Sequence, residues 1–304
     1  MIPRETLKRI RRTIRRIEIA SRKVVDETLA GQYHSVFKGR GIEFDAVREY
    51  TPGDDVRSID WNVTSRMGRP FTKQFVEERE LTVMLAVDAS GSMDFGSTAE
   101  FKNELAAEIC ALLALAAIRN NDKVGLLTFS DGIELHLPPR KGRRHALRLV
   151  REVLYFKPRG RGSDLAGALE YLSRTQVKRC VLFMLSDFLA GPEPRRFARF
   201  RKPLRVLARK HDVVAIQLAD RRETRLEGMG LVRLVDPESG EHHTVDTSSR
   251  RWREDFSKLR EAEQSSLERF LAVNGIDHLV VGTGGPYDVE LVKFFRKRAR
   301  RARR

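Results

Sequence analysis

The sequence predicts an α/β fold: a doubly wound, mostly parallel sheet with helices on both faces, preceded by an N-terminal helix and a small strand-rich unit. Two observations carry this. From Leu81 onward, short apolar runs alternate with amphipathic helical stretches over some two hundred residues. Ahead of them, Gln32–Glu80 is cut by Gly39, Gly41, Pro52, Gly53, Gly68 and Pro70 into short segments of another character.

In chain order, Arg4–Ala30 reads as one helix, with Leu7, Ile10, Ile14, Ile17, Val24 and Leu29 near helical spacing and Arg and Lys between them. Its plainest role is to pack on its own domain or a partner. An anchor on acidic lipid is the sharper reading, weakened by the lack of Trp or Phe on the apolar face. IEFDAVREY and FTKQFVEE read as small strands joined by tight turns. Between them lie Asp54, Asp55 and Asp60. Three nearby carboxylates suggest a metal, but a Pro-Gly turn, the turn preference of aspartate and the neighbours Arg48 and Arg57 favour turns and caps.

The alternation then runs as follows. Strands are expected at Leu81–Val87, Lys123–Phe129, Cys180–Leu185, Val213–Ala219 and Asp277–Val281, with a short extended piece at Gly132–Leu137. Helices are expected at Ala99–Arg119, Arg143–Phe156, Asp164–Ser173, Arg195–Lys210, Ser248–Val273 and Pro286–Arg300. Leu231–Val235 and His242–Val245 flank PESG as an inserted hairpin. Gly282–Pro286 reads as a strand-to-helix turn rather than a nucleotide loop. The division that results is a basic helix at 1–30, a strand and turn unit at 31–80, the α/β domain at 81–292 and a basic tail at 293–304.

Charge narrows the function. The 304 residues hold 58 Lys+Arg against 42 Asp+Glu, a formal net charge of +16. Residues 1–24 carry +7 and residues 293–304 carry +8, so the span between is nearly neutral. Attraction to nucleic acid or an anionic membrane therefore attaches to the ends rather than the body. Cys110 and Cys180 sit in apolar runs as small buried hydrophobes, which excludes a disulfide framework or a zinc site. No apolar run approaches the ~20 residues of a spanning helix and no signal peptide is visible. A cytoplasmic protein that can touch a membrane surface is expected.

The stretch that carries chemistry is Leu81–Asp94. An apolar strand stops on Asp88, Ser90 and Ser92, three oxygen side chains at alternate positions and so on one side of an extended chain. Such a set suits a hard cation, above all Mg2+, with Mn2+ or Ca2+ as alternatives. Ser163 follows a Gly-rich run and opens a helix, and Asp187 ends VLFMLSD. In a parallel sheet both fall at the edge where ligands bind.

With these residues in view, the chain resembles the von Willebrand factor A domain, whose metal-ion-dependent adhesion site uses DxSxS, a Thr from a later loop and an Asp after a later strand. DASGS supplies Asp88, Ser90 and Ser92; Ser163 in GRGSD stands where that family has Thr; Asp187 in LSDF stands where it often has Asp-Gly; TFSD, ending at Asp131, looks like its second strand. The resemblance implies a Rossmann-type sheet and a metal held by those five residues. Two departures stand out. Ser163 lacks the methyl that helps lock a Thr rotamer, and Phe188 replaces the common Gly. GRGIEFDAVREYTPGDDVRSIDWNVTSRMGRPFTKQFVEERE, in turn, resembles the signature of the family called domain of unknown function fifty-eight. That resemblance implies partnership with MoxR-type AAA+ ATPases. Many members carry two membrane helices before the signature, which this sequence does not show.

The expected function is thus a non-enzymatic, metal-dependent interaction module whose open coordination position takes an acidic residue from an AAA+ partner. A metal-assisted phosphatase or hydrolase, with Asp88 or Ser90 as nucleophile, is the enzymatic alternative. Against it, no His lies near the motifs, His136, His145 and His211 are scattered, and no GxSxG elbow or phosphate loop appears. The third alternative is anionic membrane or nucleic acid held by the basic ends.

Overall fold

The computed structural model describes residues 43–76, 80–97, 101–189 and 194–302. The expected helix at Arg4–Ala30 lies outside them. The described residues divide into two compact units, one within Phe37–Leu81 and one within Thr82–Arg304.

In the small unit, strand β1 (Glu43–Glu49) pairs antiparallel with β2 (Phe71–Val76). The connection contains an element that the sequence reading did not foresee, helix α1 (Trp61–Met67). Asp60 caps it by accepting from the backbone N–H groups of Asn62 and Val63, and Gly68 ends it in the left-handed conformation at φ +69°. The run WNVTSRM has little helical periodicity of its own, so the two caps define it. The three aspartates do what turn chemistry suggests. Asp55 caps a single 3-10 turn at Val56–Ser58, and Asp54 accepts from Arg48 at 2.6 Å and from the Thr51 backbone N–H.

The large unit is built on a six-stranded sheet in the order β10-β7-β6-β3-β4-β5. Its strands are β3 (Thr82–Asp88), β4 (Lys123–Phe129), β5 (Ile133–Arg140), β6 (Val181–Ser186), β7 (Asp212–Ala219) and β10 (Asp277–Gly282). All pairings are parallel except β4 with β5, which makes β5 an antiparallel edge. The fold is therefore α/β with a mostly parallel sheet, as expected. β3, β4 and β6 are buried along almost their whole length, which is why they read as continuous apolar runs.

The helices are α2 (Lys102–Arg119), α3 (Arg143–Tyr155), α4 (Leu165–Thr175), α5 (Pro194–Lys210), a single turn α6 (Arg221–Thr224), α7 (Arg250–Val273) and α8 (Tyr287–Ala302). Helices α4, α5 and α7 cover one face, placing Leu169, Leu204 and Phe270 in one core cluster with Leu182 and Met184 of β6. Phe183, between those two, points to the other face and meets Phe295 of α8 edge-on at 6.4 Å between ring centroids. The inserted hairpin is β8 (Leu231–Val235) with β9 (His242–Asp246). Cys110 and Cys180 are buried and free.

The basic C-terminal segment is more than a tail. Residues 293–302 continue α8, and Arg298 is folded inward to pair with Asp212 and Asp277. Lys293, Arg296, Lys297 and Arg300 lie on its exposed side. Among the described residues no helix is long and apolar enough to cross a membrane.

The chain leaves β3 toward β4 and β5 on one side, then returns past it to β6, β7 and β10 on the other. β3 and β6 are thus neighbours at the point where strand order reverses, where parallel sheets open a crevice at their carboxyl ends.

Candidate metal centre

Five side chains were singled out from sequence, and four of them meet at this crevice through hydroxyl and carboxylate oxygens. Asp88, the last residue of β3, sends Oδ1 to the backbone N–H of Ser90 at 2.9 Å. Its Oδ2 accepts from Ser163 Oγ at 2.8 Å. Ser90 Oγ and Ser92 Oγ are 3.0 Å apart. Asp88, Ser90 and Ser92 are buried and Ser163 is half-buried.

Asp187, the fifth, stands at the end of β6 and is engaged elsewhere. Its Oδ1 accepts from the Leu189 backbone N–H at 3.1 Å. Its Oδ2 accepts from Lys102 Nζ at 2.8 Å. Lys102 opens α2, is wholly buried, and also donates to Glu223 Oε1 of α6 at 2.5 Å. The sequence reading missed Lys102, Glu223 and a further oxygen, Ser186 Oγ, which donates to Asp88 Oδ2 at 2.8 Å. Ser186 was legible as the residue before Asp187. Lys102 left one faint signal, a cation in the first turn of an Ala/Leu-rich helix, where the helix dipole disfavours it.

The loops that deliver these groups are tightly held. Gly160 and Gly162 wrap the Asp131 carboxylate. A Cβ on either glycine would lie 2.1 Å from an Asp131 oxygen, so only glycine passes there. Asp131 accepts from the Arg161 backbone N–H at 3.1 Å, and Glu134 of β5 accepts from those of Arg159 and Gly160. Asp131 thus anchors the loop that carries Ser163. Gly91 is pinned by donation of its N–H to the Arg161 carbonyl at 2.7 Å. After Asp187 the chain turns through Phe188, which is buried yet sits at φ +51°, a left-handed conformation that suits glycine. The Phe188 N–H donates to Ser186 Oγ at 3.0 Å, which helps hold the turn.

Burial raises the Asp88 carboxyl above its usual range, and the neighbouring Asp187 adds to the rise; hydrogen bonds from Ser90 and Ser163 oppose it only in part. Burial works to lower Lys102, but the carboxylates of Asp187 and Glu223 outweigh it and the ammonium is stabilised. Glu223 is raised by its burial, against the pull of Lys102. Farther along the same rim, Asp220 is held down at about 2: burial works upward, but hydrogen bonds from Ser97, Thr283 and the Arg222 backbone win.

The donor chemistry fits a hard cation. Asp88, Ser90, Ser92, Ser163 and Ser186 bring only oxygens, which suit Mg2+, Mn2+ or Ca2+ rather than a softer metal. Among the described residues no three His, Cys, Asp or Glu side chains gather as a metal-binding group, so a cation here would lean on hydroxyls beside its carboxylates. The one departure is Asp187, whose Oδ2 is shared with an internal ammonium. Beside the cluster opens a cleft of about 290 Å³, lined in part by Ser163, Ser186, Asp187, Phe188, Arg199 and Phe200. The histidines weighed as catalytic partners bond elsewhere: His136 to Tyr171, His145 to the Val124 carbonyl and His211 to Cys180.

Residues 46–266 match a family model described as "Protein of unknown function DUF58". An uncharacterized protein of Mycobacterium tuberculosis, Rv1480, is 32% identical over 293 residues, covering 95% of this chain and 90% of its own. An uncharacterized protein of Mycobacterium bovis, Mb1516, aligns with the same identity and coverage. Among solved structures, the chain is similar to the conserved hypothetical protein BatB from Bacteroides thetaiotaomicron, at TM-score 0.46 and 15% identity over 72% of this chain and 99% of that one. It is also similar to the SpRpn10 VWA domain, at TM-score 0.41 and 9% identity over 70% and 94%.

Proposed function

The chain belongs to the DUF58 family of proteins of unknown function, and we propose that it is a metal-dependent protein-interaction module. Asp88, Ser90, Ser92, Ser163 and Asp187 hold a Mg2+ ion, with Mn2+ or Ca2+ as substitutes. The observation that carries this reading is the convergence on Asp88. One buried carboxylate at the switch point of the sheet accepts hydroxyls from the Ser163 loop and from the end of β6.

The bound ion would supply a concentrated positive charge at the floor of an open cleft. The protein residues do the rest. Asp88 orients Ser163 and Ser186, the Asp131-anchored loop fixes Ser163, and the turn at Phe188 fixes Asp187. The fitting ligand is a carboxylate on a partner protein. The partner class we propose is an AAA+ ATPase of the MoxR type, on the strength of the Gly39–Glu80 signature, with remodelling or maturation of a client as the outcome. The bonding of His136, His145 and His211 away from Asp88 favours this non-enzymatic reading over phosphatase or hydrolase chemistry.

Affinity capture from native lysate, with Mg2+ or with EDTA, tests the proposal. Recovery of an AAA+ ATPase with Mg2+, and its loss with EDTA or Asp88→Ala, is expected. Capture that survives both would overturn it. A second reading rests on α8, whose exposed side carries Lys293, Arg296, Lys297 and Arg300. Each cation near an anionic leaflet adds about 1 kcal/mol of attraction, so α8 can hold the protein peripherally at a membrane. Sedimentation with phosphatidylserine vesicles, lost at high salt or when all four are changed to Gln, is the expected result. Binding that persists in that variant would remove this reading.

A further inference from the structure

We propose that Lys102 sets the charge of the candidate cation site and so fixes its preference for divalent over trivalent ions. This inference rests on the cation reading given above.

Lys102 is an unusual residue to bury. It is wholly inaccessible at the start of α2, where the dipole of the helix repels a cation. A buried ammonium is costly unless it is closely paired, and this one has two carboxylates, Asp187 at 2.8 Å and Glu223 at 2.5 Å. Those contacts join three elements: α2, the end of β6 and the turn α6. Neither carboxylate is an exposed partner, since Asp187 and Glu223 side chains are 5% and 15% accessible. The pairing is therefore electrostatically strong, and its charge is felt by anything bound at Asp187.

The charge count then has a consequence. Asp88, Asp187 and Glu223 with Lys102 carry a formal charge of −2. A divalent ion neutralises that set, whereas a trivalent ion leaves it positive. Without the ammonium, the three carboxylates would match a trivalent ion instead. Glu223 adjusts the same balance in the opposite sense. At an effective dielectric of about 20, one unit charge about 12 Å from the ion changes the relative affinity for ions differing by one charge about tenfold, and a closer one changes it more.

Titration calorimetry of the full chain with Mg2+ and, separately, with Tb3+ tests this. The variants are Lys102→Gln, Glu223→Gln and the double variant. The Tb3+ over Mg2+ affinity ratio is expected to rise about tenfold in Lys102→Gln, fall about tenfold in Glu223→Gln, and return to the wild-type value in the double variant. A purely structural role for Lys102 would weaken both ions together and leave the ratio unmoved, so an unchanged ratio across the folded variants overturns the inference. If Lys102→Gln loses its near-UV circular dichroism, Glu223→Gln carries the test with the opposite sign. Wild-type protein that binds neither ion saturably, or binds both equally well as Asp88→Ala, overturns the cation reading itself. Saturable binding with a fixed ratio defeats only the role of Lys102.

Discussion

Asp54, Asp55 and Asp60 in the small unit, and Asp88 and Asp187 in the large one, are the same side chain placed in loops, yet their surroundings separate them. The first three lie toward the surface, Asp55 exposed and Asp54 and Asp60 half-buried, and each accepts from nearby backbone N–H groups. Asp55 and Asp60 cap short helices, Asp54 closes a turn, and hydrogen bonds lower the carboxyls of Asp54 and Asp60. The other two are buried at the edge of a parallel sheet. Asp88 is raised by burial, and Asp187 takes a buried ammonium as partner. A carboxylate that stabilises a turn keeps contact with water. One prepared for a ligand is desolvated and close to its own kind, even where hydrogen bonds reach both its oxygens. What separates the two cases in the sequence is what comes before each aspartate, a Pro-Gly turn ahead of Asp54 and Asp55 and an apolar strand ahead of Asp88 and Asp187.

The largest effect that sharpens this contrast is at Lys102. Replacing it with Met leaves Asp187 and Glu223 buried without their cation, and the expected loss is about 3–5 kcal/mol in denaturant unfolding. The half-buried pair Arg48–Asp54, nearer to water, has less leverage. A loss no greater in Lys102→Met than in Arg48→Met would erase the distinction between the two clusters.

Buried histidine extends the contrast to a second charge type. His211 is buried, accepts from the Cys180 backbone N–H through Nδ1, and is lowered to about 4 by burial and by Lys210 and Arg179. It stays neutral in the fold while the unfolded chain takes up a proton below 6.5. The sign follows: stability is full above pH 6.5 and falls as pH drops from 6.5 toward 4, by up to about 3 kcal/mol. Guanidinium midpoints across this window should fall in the wild type and fall less in His211→Gln. Parallel curves would remove His211 from the account.

Phe188 gives a smaller, sign-reversed effect. Phe188→Ala loses buried ring contacts, at about 3 kcal/mol. Phe188→Gly loses the same ring but relaxes the positive φ, so it should be the more stable of the two by about 1 kcal/mol. Elsewhere glycine is normally the worse replacement. Phe188→Ala melting above Phe188→Gly would show that the turn stores no strain. The smallest effects belong to Asp54→Asn and Asp55→Asn, whose unfolding midpoints should barely move.

Much of the large unit was legible because burial on both faces writes itself as apolar runs, as in VMLAV of β3 and VLFML of β6. Asp88, Ser90 and Ser92 were legible because they follow such a run directly, and Ser163 and Asp187 because they occupy the corresponding edge. Helix α1 escaped notice, since its definition comes from Asp60 and Gly68 at its ends rather than from periodicity. Lys102 and Glu223 escaped because they meet across 121 residues of sequence, and no local pattern marks such a pair. Arg298, within the stretch read as a basic tail, pairs with Asp212 and Asp277, a contact no local pattern announces.

The central claim is that the Asp88 cluster, and no other acidic cluster in the chain, answers to a divalent ion. Thermal melting with and without Mg2+ in wild type, Asp88→Asn and Asp60→Asn tests it most directly. A ligand at about one hundred times its Kd stabilises by about 2.7 kcal/mol, so a clear rise in Tm is expected for wild type and Asp60→Asn. Asp88→Asn removes a buried, disfavoured charge. It should melt near or above wild type without Mg2+ and gain nothing when Mg2+ is added. A Mg2+ response that is absent from wild type, retained in Asp88→Asn, or lost in Asp60→Asn would contradict the account.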